Sequence, residues 1–470
     1  MQNHPEIWSL VDRNTPDLVA LADRVWETPE TCYKEVKSAA SHREELERQG
    51  FRVTENVAGI PTALMGEAGS GGPVIAILGE YDALPGLSQQ AGAAEHIPLV
   101  AGGNGHGCGH NLLGAGAMLA AVALRDWLRD SSTPGRVRYY GCPAEEGGAA
   151  KAFMVRDGAF DDVDIAISWH PDCFADVMAA SSLANARVDF RFKGRAAHAA
   201  SSPHLGRSAL DAVELMNVGV NYLREHVPTD ARIHYAMIDS GGIAPNVVQA
   251  NAMVRYSVRM PELADMVQLV ERVRKVAEGA ALMTETQMEM TVLSAVYGLL
   301  PNAPLEQVMR EELEALGAPE FDDADRKYAA ALRKSYGPEE LRHSLVQFGL
   351  DTALDTPLQD RLVPPDARRL GLSGSTDVGD VSWAVPTVQM WGGNYAVGTP
   401  FHSWQMVAQG KSPHAHKGMA HAAKVMAAVG RRAFSDPALI LRAKEDHARR
   451  TAGAPRSNPL IAGIAPPLGM

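Results

Sequence analysis

Residues 73–86 read PVIAILGEYDALPG, and the abrupt change of character at Gly79 decides the fold. An unbroken apolar run such as 73–79 is what a strand covered on both faces needs. The polar residues that follow at once, in GEYDALPG (79–86), then stand at that strand's carboxyl end. The pattern recurs twice. RVRYYGC (136–142) leads into CPAEEGG (142–148), and VDIAISW (163–169) leads into WHPDC (169–173). Helical patterns separate these strands: a segment rich in Ala, Leu and Met from Leu112 to Leu128, and a shorter one at about 147–157. Upstream, EVKSAASHREELERQGF reads as a helix ending at Gly50. Strands alternating with helices predict a layered α/β unit with a mainly parallel sheet. Ligands gather at the carboxyl ends of such strands, where the three polar stretches fall.

Near residue 185 the period changes to two. Val188, Phe190 and Phe192 alternate with Arg187, Asp189 and Arg191, which predicts a strand with one apolar face. A helix (about 207–226), the strand RIHYAMID (232–239), a further alternating strand with Val254, Tyr256 and Val258 in phase, a long helix (about 262–281) and QMEMTVLS (287–294) complete the order β-α-β-β-α-β. That order suits a small sheet with helices on one face, leaving the other for solvent or a partner. The organisation expected is therefore a first α/β part at 1–184, an inserted domain at 185–296, and the rest of the α/β unit at 297–470. The Pro-rich tail APRSNPLIAGIAPPLG is expected to be poorly ordered.

A chain of 470 residues, 46% hydrophobic and 21% charged, has the composition of a globular protein, and its length favours two domains. The net charge of −12 argues against nucleic acid or an anionic membrane as partner. No apolar run approaches the ~20 residues of a membrane span, and the start MQNHPEIWSLVDRN does not resemble a signal peptide. Cys32, Cys108, Cys142 and Cys173 are too scattered for a disulfide framework. A reducing cytoplasm is the expected setting.

The stretch NGHGCGHN (104–111) places His106, Cys108 and His110 at alternate positions between glycines. Read alone it admits a glycine-rich turn, a nucleophilic cysteine served by a histidine base, or a metal site. Adjacent carboxylates Glu145 and Glu146 can divide labour beside a metal, one ligating and the other moving a proton. His170 closes one strand, and His402 lies in GTPFHSW. A cysteine nucleophile has no use for two acids and His170 together, so the convergence of ligand types favours metal. Cys142 and Cys173 are read as small packed side chains. Arg255 and Arg259 alternate with the apolar face of their strand and are candidate cations for a substrate carboxylate, or simply a solvated strand face.

In order along the chain, YDALPG, HGCGHN, PAEEGG, SWHP, KGRAAHAA, GGIAPNVV and GTPFHSWQ resemble the metal-dependent amidohydrolases of the aminoacylase and hippuricase type. The similarity covers about residues 25 to 430. It is closest, through GSTDVGDVSW and VAQGKSPHAHKGM, to the subgroup containing the B subunit of p-aminobenzoyl-glutamate hydrolase. The resemblance implies a mixed, mainly parallel sheet between helices, as in di-metal aminopeptidases, with an inserted ferredoxin-like α+β dimerisation domain. It implies two divalent metal ions, Mn2+ or Zn2+, on Cys108, His110, Glu146, His170 and His402, with the thiolate bridging. It matches Glu145 to the general base that activates metal-bound water, His198 to a histidine that reaches a partner subunit's site to stabilise the oxyanion, and Asn246 to a substrate contact. The implied reaction is amide hydrolysis of N-acyl or N-aroyl amino acids by a homodimer or hetero-oligomer. The alternatives are a dipeptidase, an auxin-conjugate hydrolase, an aromatic-amine deaminating hydrolase and a non-catalytic subunit. Asp82 and His106 are expected behind the ligands. Asn111, where many relatives carry Asp, is expected to alter the support of the ligand histidine.

Overall fold

The computed structural model describes residues 4–178, 182–371 and 374–470; Leu372 and Ser373 of the glycine-rich stretch 371–383 lie outside them. Seven strands form the larger sheet: β1 (Arg52–Glu55), β2 (Leu64–Ser70), β3 (Val74–Glu80), β4 (Gly135–Cys142), β5 (Ile165–Asp172), the short β6 (Asp176–Val177), and β11 (Thr387–Gly393), contributed from the far end of the chain. Their order is β1-β2-β4-β3-β5-β11-β6. The central run β4-β3-β5-β11 is parallel, while β1, β2 and β6 join it antiparallel. Every residue of β3 is buried, as its uninterrupted apolar run predicts. Helix His110–Ser131 is buried along nearly its whole length, between helix His4–Trp26, helix Pro413–Ser435 and the sheet.

A second, four-stranded antiparallel sheet is built from β7 (Ala184–Lys193), β8 (Arg232–Asp239), β9 (Asn251–Met260) and β10 (Gln287–Val296), in the order β10-β7-β9-β8. Val188, Phe190 and Phe192 are fully buried beneath helices Ala209–Leu223 and Leu263–Thr284. The opposite face is not simply solvated. Asp189 is buried and pairs with Arg255 through two bonds of 2.7 and 3.0 Å, and the Asn185–Arg187 end of β7 abuts the PAEEGG loop. There Ser294 Oγ donates to the Gly147 carbonyl at 2.9 Å, and Arg187 donates to the Glu146 carbonyl at 3.2 Å.

The Pro-rich tail departs from expectation. Asn458 and Ile461 are fully buried, Tyr297 OH donates to the Pro455 carbonyl at 2.7 Å, and Arg156 donates to the Ile461 carbonyl at 2.9 Å. Proline rigidity lowers the entropy cost of docking such a segment, so composition alone misread it. Among the described residues no helix is long and apolar enough to cross a membrane.

Candidate metal centre

The three polar stretches at the strand ends meet in one cluster, which His402 joins from the loop after β11. That loop is stitched to NGHGCGHN by a bond from His402 N to the Gly107 carbonyl at 2.8 Å. His402 adopts a left-handed backbone, φ 55°, an uncommon state for a non-glycine residue and one that concentrates at functional sites. Gly109 caps helix His110–Ser131 with φ 76°. A Cβ there would come within 2.2 Å of Tyr395 Oη, so glycine is what allows His110 to open the helix where it does.

Three overlapping groups of ligand atoms lie within 4.8 Å of one another: Cys108 with His110 and His170, Cys108 with Glu146 and His402, and Glu80 with His110 and Glu145. The histidine tautomers follow from their partners. His170 Nδ1 faces the Pro171 carbonyl at 3.0 Å, and a carbonyl only accepts, so Nε2 presents its lone pair 3.4 Å from Cys108 Sγ. His110 Nδ1 sits 2.9 Å from Asp82 Oδ1, which likewise turns Nε2 inward. Asp82 Oδ2 also accepts Glu146 N–H at 2.9 Å, so one buried carboxylate orients a ring and a carboxylate together. His402 Nε2 stands 3.4 Å from Glu146 Oε2.

The donor set fits a pair of divalent ions. Thiolate, imidazole and carboxylate are the ligands of zinc and related metals, and Cys108 belongs to two of the three groups. His110 Nε2, Glu146 Oε1 and Glu80 Oε2 are buried without a hydrogen-bond partner among the described residues, a cost that a shared cation removes. The electrostatics agree. Burial first, then Glu80 and Glu146, hold the Glu145 carboxyl well above its usual range, and burial and Glu146 do the same to the Cys108 thiol. Burial opposes protonation of His110, yet Asp82 and Cys108 overcome it and raise that ring. Burial, then the neighbouring His110, depresses His170 to about 4, leaving it a neutral ligand. A cluster of anions that raise one another's proton affinity is a site for a cation.

Behind the cluster, Lys151 Nζ lies between Glu80 Oε1 at 2.6 Å and Asp377 Oδ1 at 2.7 Å, all three side chains buried. Glu80 Oε2 faces His110 Nε2 at 3.2 Å. Sequence motifs enclose Glu80 without giving it a task, and nothing in them singles out Lys151. His106 is buried among no ligand group: its Nε2 donates to the Val25 carbonyl at 3.0 Å, pinning the loop to helix His4–Trp26. Asn111 points elsewhere, donating to the Gly410 carbonyl at 3.0 Å, so its amide does not support His110. Cys142 and Cys173 are buried in the packing.

The cluster floors a cavity of about 700 Å³. Trp391, Phe401, Met178, Val296 and Leu370 give it apolar walls, and Arg187, Arg259, Asn185 and Ser375 a polar one. Of the two cations expected from sequence, Arg259 lines the cavity, whereas Arg255 is consumed by Asp189; Arg187 was missed because alternation alone placed it on a wet face. His198 and Asn246 are neighbours on the second sheet's exposed loops, joined by the bond from Ala199 N to the Asn246 carbonyl at 3.0 Å and by the bridge of His198 to Val247. Neither lines the cavity of its own chain.

Comparison with known proteins places this arrangement. The model of peptidase family M20/M25/M40 matches residues 76–403. The chain is 48% identical over 456 residues, 95% of each chain, to the B subunit of p-aminobenzoyl-glutamate hydrolase from Escherichia coli. In fold it is similar to an aminobenzoyl-glutamate utilization protein of Klebsiella pneumoniae (TM-score 0.59, 18% identity, 91% of this chain and 97% of that one). It is similar also to a dinuclear metal-binding M20 peptidase of Bacillus subtilis (TM-score 0.54, 18% identity, 88% and 99%).

Proposed function

Since the chain belongs to peptidase family M20/M25/M40 and is a metal-dependent amidohydrolase, we propose that its centre cleaves the amide bond of N-aroyl or N-acyl amino acids, with p-aminobenzoyl-glutamate the favoured substrate. The observation that carries this reading is the sharing of Cys108 between two ligand groups, one of which shares His110 with the group that contains Glu145. One ion would be held by Cys108, His110 and His170, the other by Cys108, Glu146 and His402, with Mn2+ or Zn2+ the metals this donor set suits. When bound, the ions supply Lewis acidity for the substrate carbonyl and acidify water.

The chain's own residues do the rest. Glu145, 4.0 Å from His110 Nε2 and held in a nearly dry site, takes the proton from the attacking water and returns it to the departing nitrogen. The apolar walls around Trp391 and Phe401 receive the aroyl ring. His198 and Asn246 act on the substrate of a partner subunit, His198 stabilising the oxyanion of the tetrahedral state. This assigns residues 185–296 the role of a dimerisation module. Strand β8 is the free edge of its sheet, and it exposes Tyr235, Met237 and Ile238, while the adjoining helix exposes Leu215, Val218 and Tyr222. Such a face is covered by an isologous copy. A cytoplasmic homodimer is the simplest assembly; the name of the Escherichia coli relative, as one of two kinds of subunit, makes a hetero-oligomer the second one.

The test is release of p-aminobenzoate from p-aminobenzoyl-glutamate by Mn2+- or Zn2+-loaded protein, with Glu145→Gln as control. Turnover abolished in the variant, with its metal content intact, is the expected result. A wild-type protein that binds two ions and cleaves no member of a panel of acyl amino acids and dipeptides would be a non-catalytic subunit instead.

A further inference from the structure

The buried arginines of this protein are almost all matched to acids. Arg138 is bidentate to Asp162 and also meets Glu67; Arg255 is bidentate to Asp189; Arg310 and Arg369 converge on Asp176. Arg431, whose Nε is buried in the packing away from the cavity, and the pair Arg187 and Arg259 are matched to none among the described residues; of these, Arg187 and Arg259 face the cavity. Both are largely buried, both line the cavity, and neither pairs with a carboxylate among the described residues. Arg187 makes one hydrogen bond, to the Glu146 carbonyl at 3.2 Å. Arg259 donates to Ser375 Oγ at 3.1 Å, and its Nε is buried without a partner.

This placement is built into the sheet. Asn185 pairs with Arg259 and Arg187 with Ser257 across β7 and β9, so the two arginines are diagonal neighbours on one face, with bases roughly 7–8 Å apart. Arg187 also depends on Gly147, where a Cβ would stand 1.9 Å from Nη1. Burying a guanidinium without a counter-charge is expensive. Two such groups side by side repel one another, and the fold offsets this only through space, from Glu145 and Glu146 for Arg187 and from Glu145 for Arg259, with no direct ion pair to either among the described residues. The missing charge therefore comes from a molecule that enters the cavity, and there are two cations for it to meet.

We propose that Arg187 and Arg259 form a clamp for a dicarboxylic amino acid as the leaving group, each guanidinium taking one carboxylate. Arg187, seated on the carbonyl of Glu146, takes the α-carboxylate beside the scissile amide. Arg259, on β9 and steadied by Ser375, takes the side-chain carboxylate and so sets specificity. This rests on the hydrolytic reading above and narrows its substrates to acyl derivatives of glutamate or aspartate. A guanidinium–carboxylate pair has two parallel N–H···O bonds that an amide cannot reproduce.

Two measurements on the metal-loaded protein test the clamp. The first compares kcat/KM for p-aminobenzoyl-glutamate and p-aminobenzoyl-glutamine. Wild type should favour glutamate by at least about tenfold, the worth of one charge-assisted pair. Arg259→Met should bring that ratio near one while turnover of the glutamine compound persists, with partial recovery in Arg259→Lys. Arg187→Met should weaken both substrates equally. An unchanged ratio in Arg259→Met overturns the assignment. The second measurement needs no turnover: calorimetric binding of glutarate against butyrate. Preference for glutarate, lost in both methionine variants, supports the clamp even if wild type cleaves neither amide, in which case only the hydrolytic reading falls. Equal binding of the two acids by wild type overturns the clamp whatever the turnover.

Discussion

Replacing Lys151 by Met tests the foundation on which the metal cluster stands. Methionine keeps most of the buried stem but removes the ammonium between Glu80 and Asp377, which approach it at 2.6 and 2.7 Å with side chains 3% and 1% exposed. Breaking a buried pair by removing one partner costs about 3–5 kcal/mol, because the remaining charge stays desolvated. At about 2–4 °C per kcal/mol this lowers the melting temperature by roughly 6–20 °C, with a chain of this length towards the lower end. The pH dependence has a definite sign. Burial already raises Asp377, with Lys151 pulling it back, and losing the ammonium raises that carboxyl further. A carboxyl whose folded pKa exceeds its unfolded one holds a proton that the unfolded chain releases, so stability falls as pH rises through that interval. The deficit of Lys151→Met should therefore be small in the ordinary carboxyl range and grow as pH rises above it. Because Glu80 Oε2 faces His110 Nε2 at 3.2 Å, metal affinity should also drop, by about 10–100-fold as for other groups that orient ligands. Scanning calorimetry across pH, with metal titrations alongside, reads both effects. A melting temperature within about 2 °C of wild type at every pH, with unaltered metal affinity, would refute the reasoning.

Further outcomes follow from the same geometry. Cys108→Ala, which deletes the atom common to two ligand groups, should lower bound metal by both ions rather than one, as counted by plasma mass spectrometry; loss of a single ion would show that the thiolate does not bridge. Mixing Glu145→Gln and His198→Ala subunits, each inactive alone, should restore about a quarter of wild-type activity, since half the dimers are mixed and each carries one complete site. No recovery after verified exchange would place His198 in its own chain's chemistry or outside catalysis. Glu35 accepts N–H bonds from Tyr33 and Ala144, each at 2.9 Å, and burial followed by Asp82 pushes its carboxyl up to about 8. Its contribution is thus complete below the unfolded value and is lost as pH rises through about 8. Glu35→Gln should flatten that decline in a denaturant series between about pH 5 and 9; a parallel decline in the variant would assign it to another group.

The parts of this molecule that a single sequence discloses are those governed by local rules. The burial of β3 was legible from its apolar run, and the β-α-β-β-α-β order from periodicity, because side-chain period reports directly on exposed faces. The segment 232–239 matched strand β8 residue for residue. Donor-type residues at strand ends marked the region of the cluster, while the choice of Cys108, His110, Glu146, His170 and His402 came from the family resemblance; the structure brings their donor atoms together. Asp82 was expected behind the ligands from its YDALPG motif, and it meets His110 Nδ1. The Glu80–Lys151–Asp377 chain was not, since its members are separated by 71 and 226 residues and a lone lysine in a short helix looks like any solvated one.

Arg187 shows the limit most clearly. Its alternation with Val188 correctly fixed which face of β7 it occupies, but a face is defined only relative to what covers it. The apolar side is covered by the domain's own helices, which periodicity implies. The polar side is covered by a loop from another part of the chain, and no local pattern encodes that docking. Charge on a strand face therefore carries two meanings, solvation and recognition, and only the absence of a partnering acid in three dimensions separates them. Arg255 and Arg259 lie four residues apart on one strand with the same alternation. One is satisfied by Asp189 and the other is not, and that difference is what turns a surface charge into a binding residue.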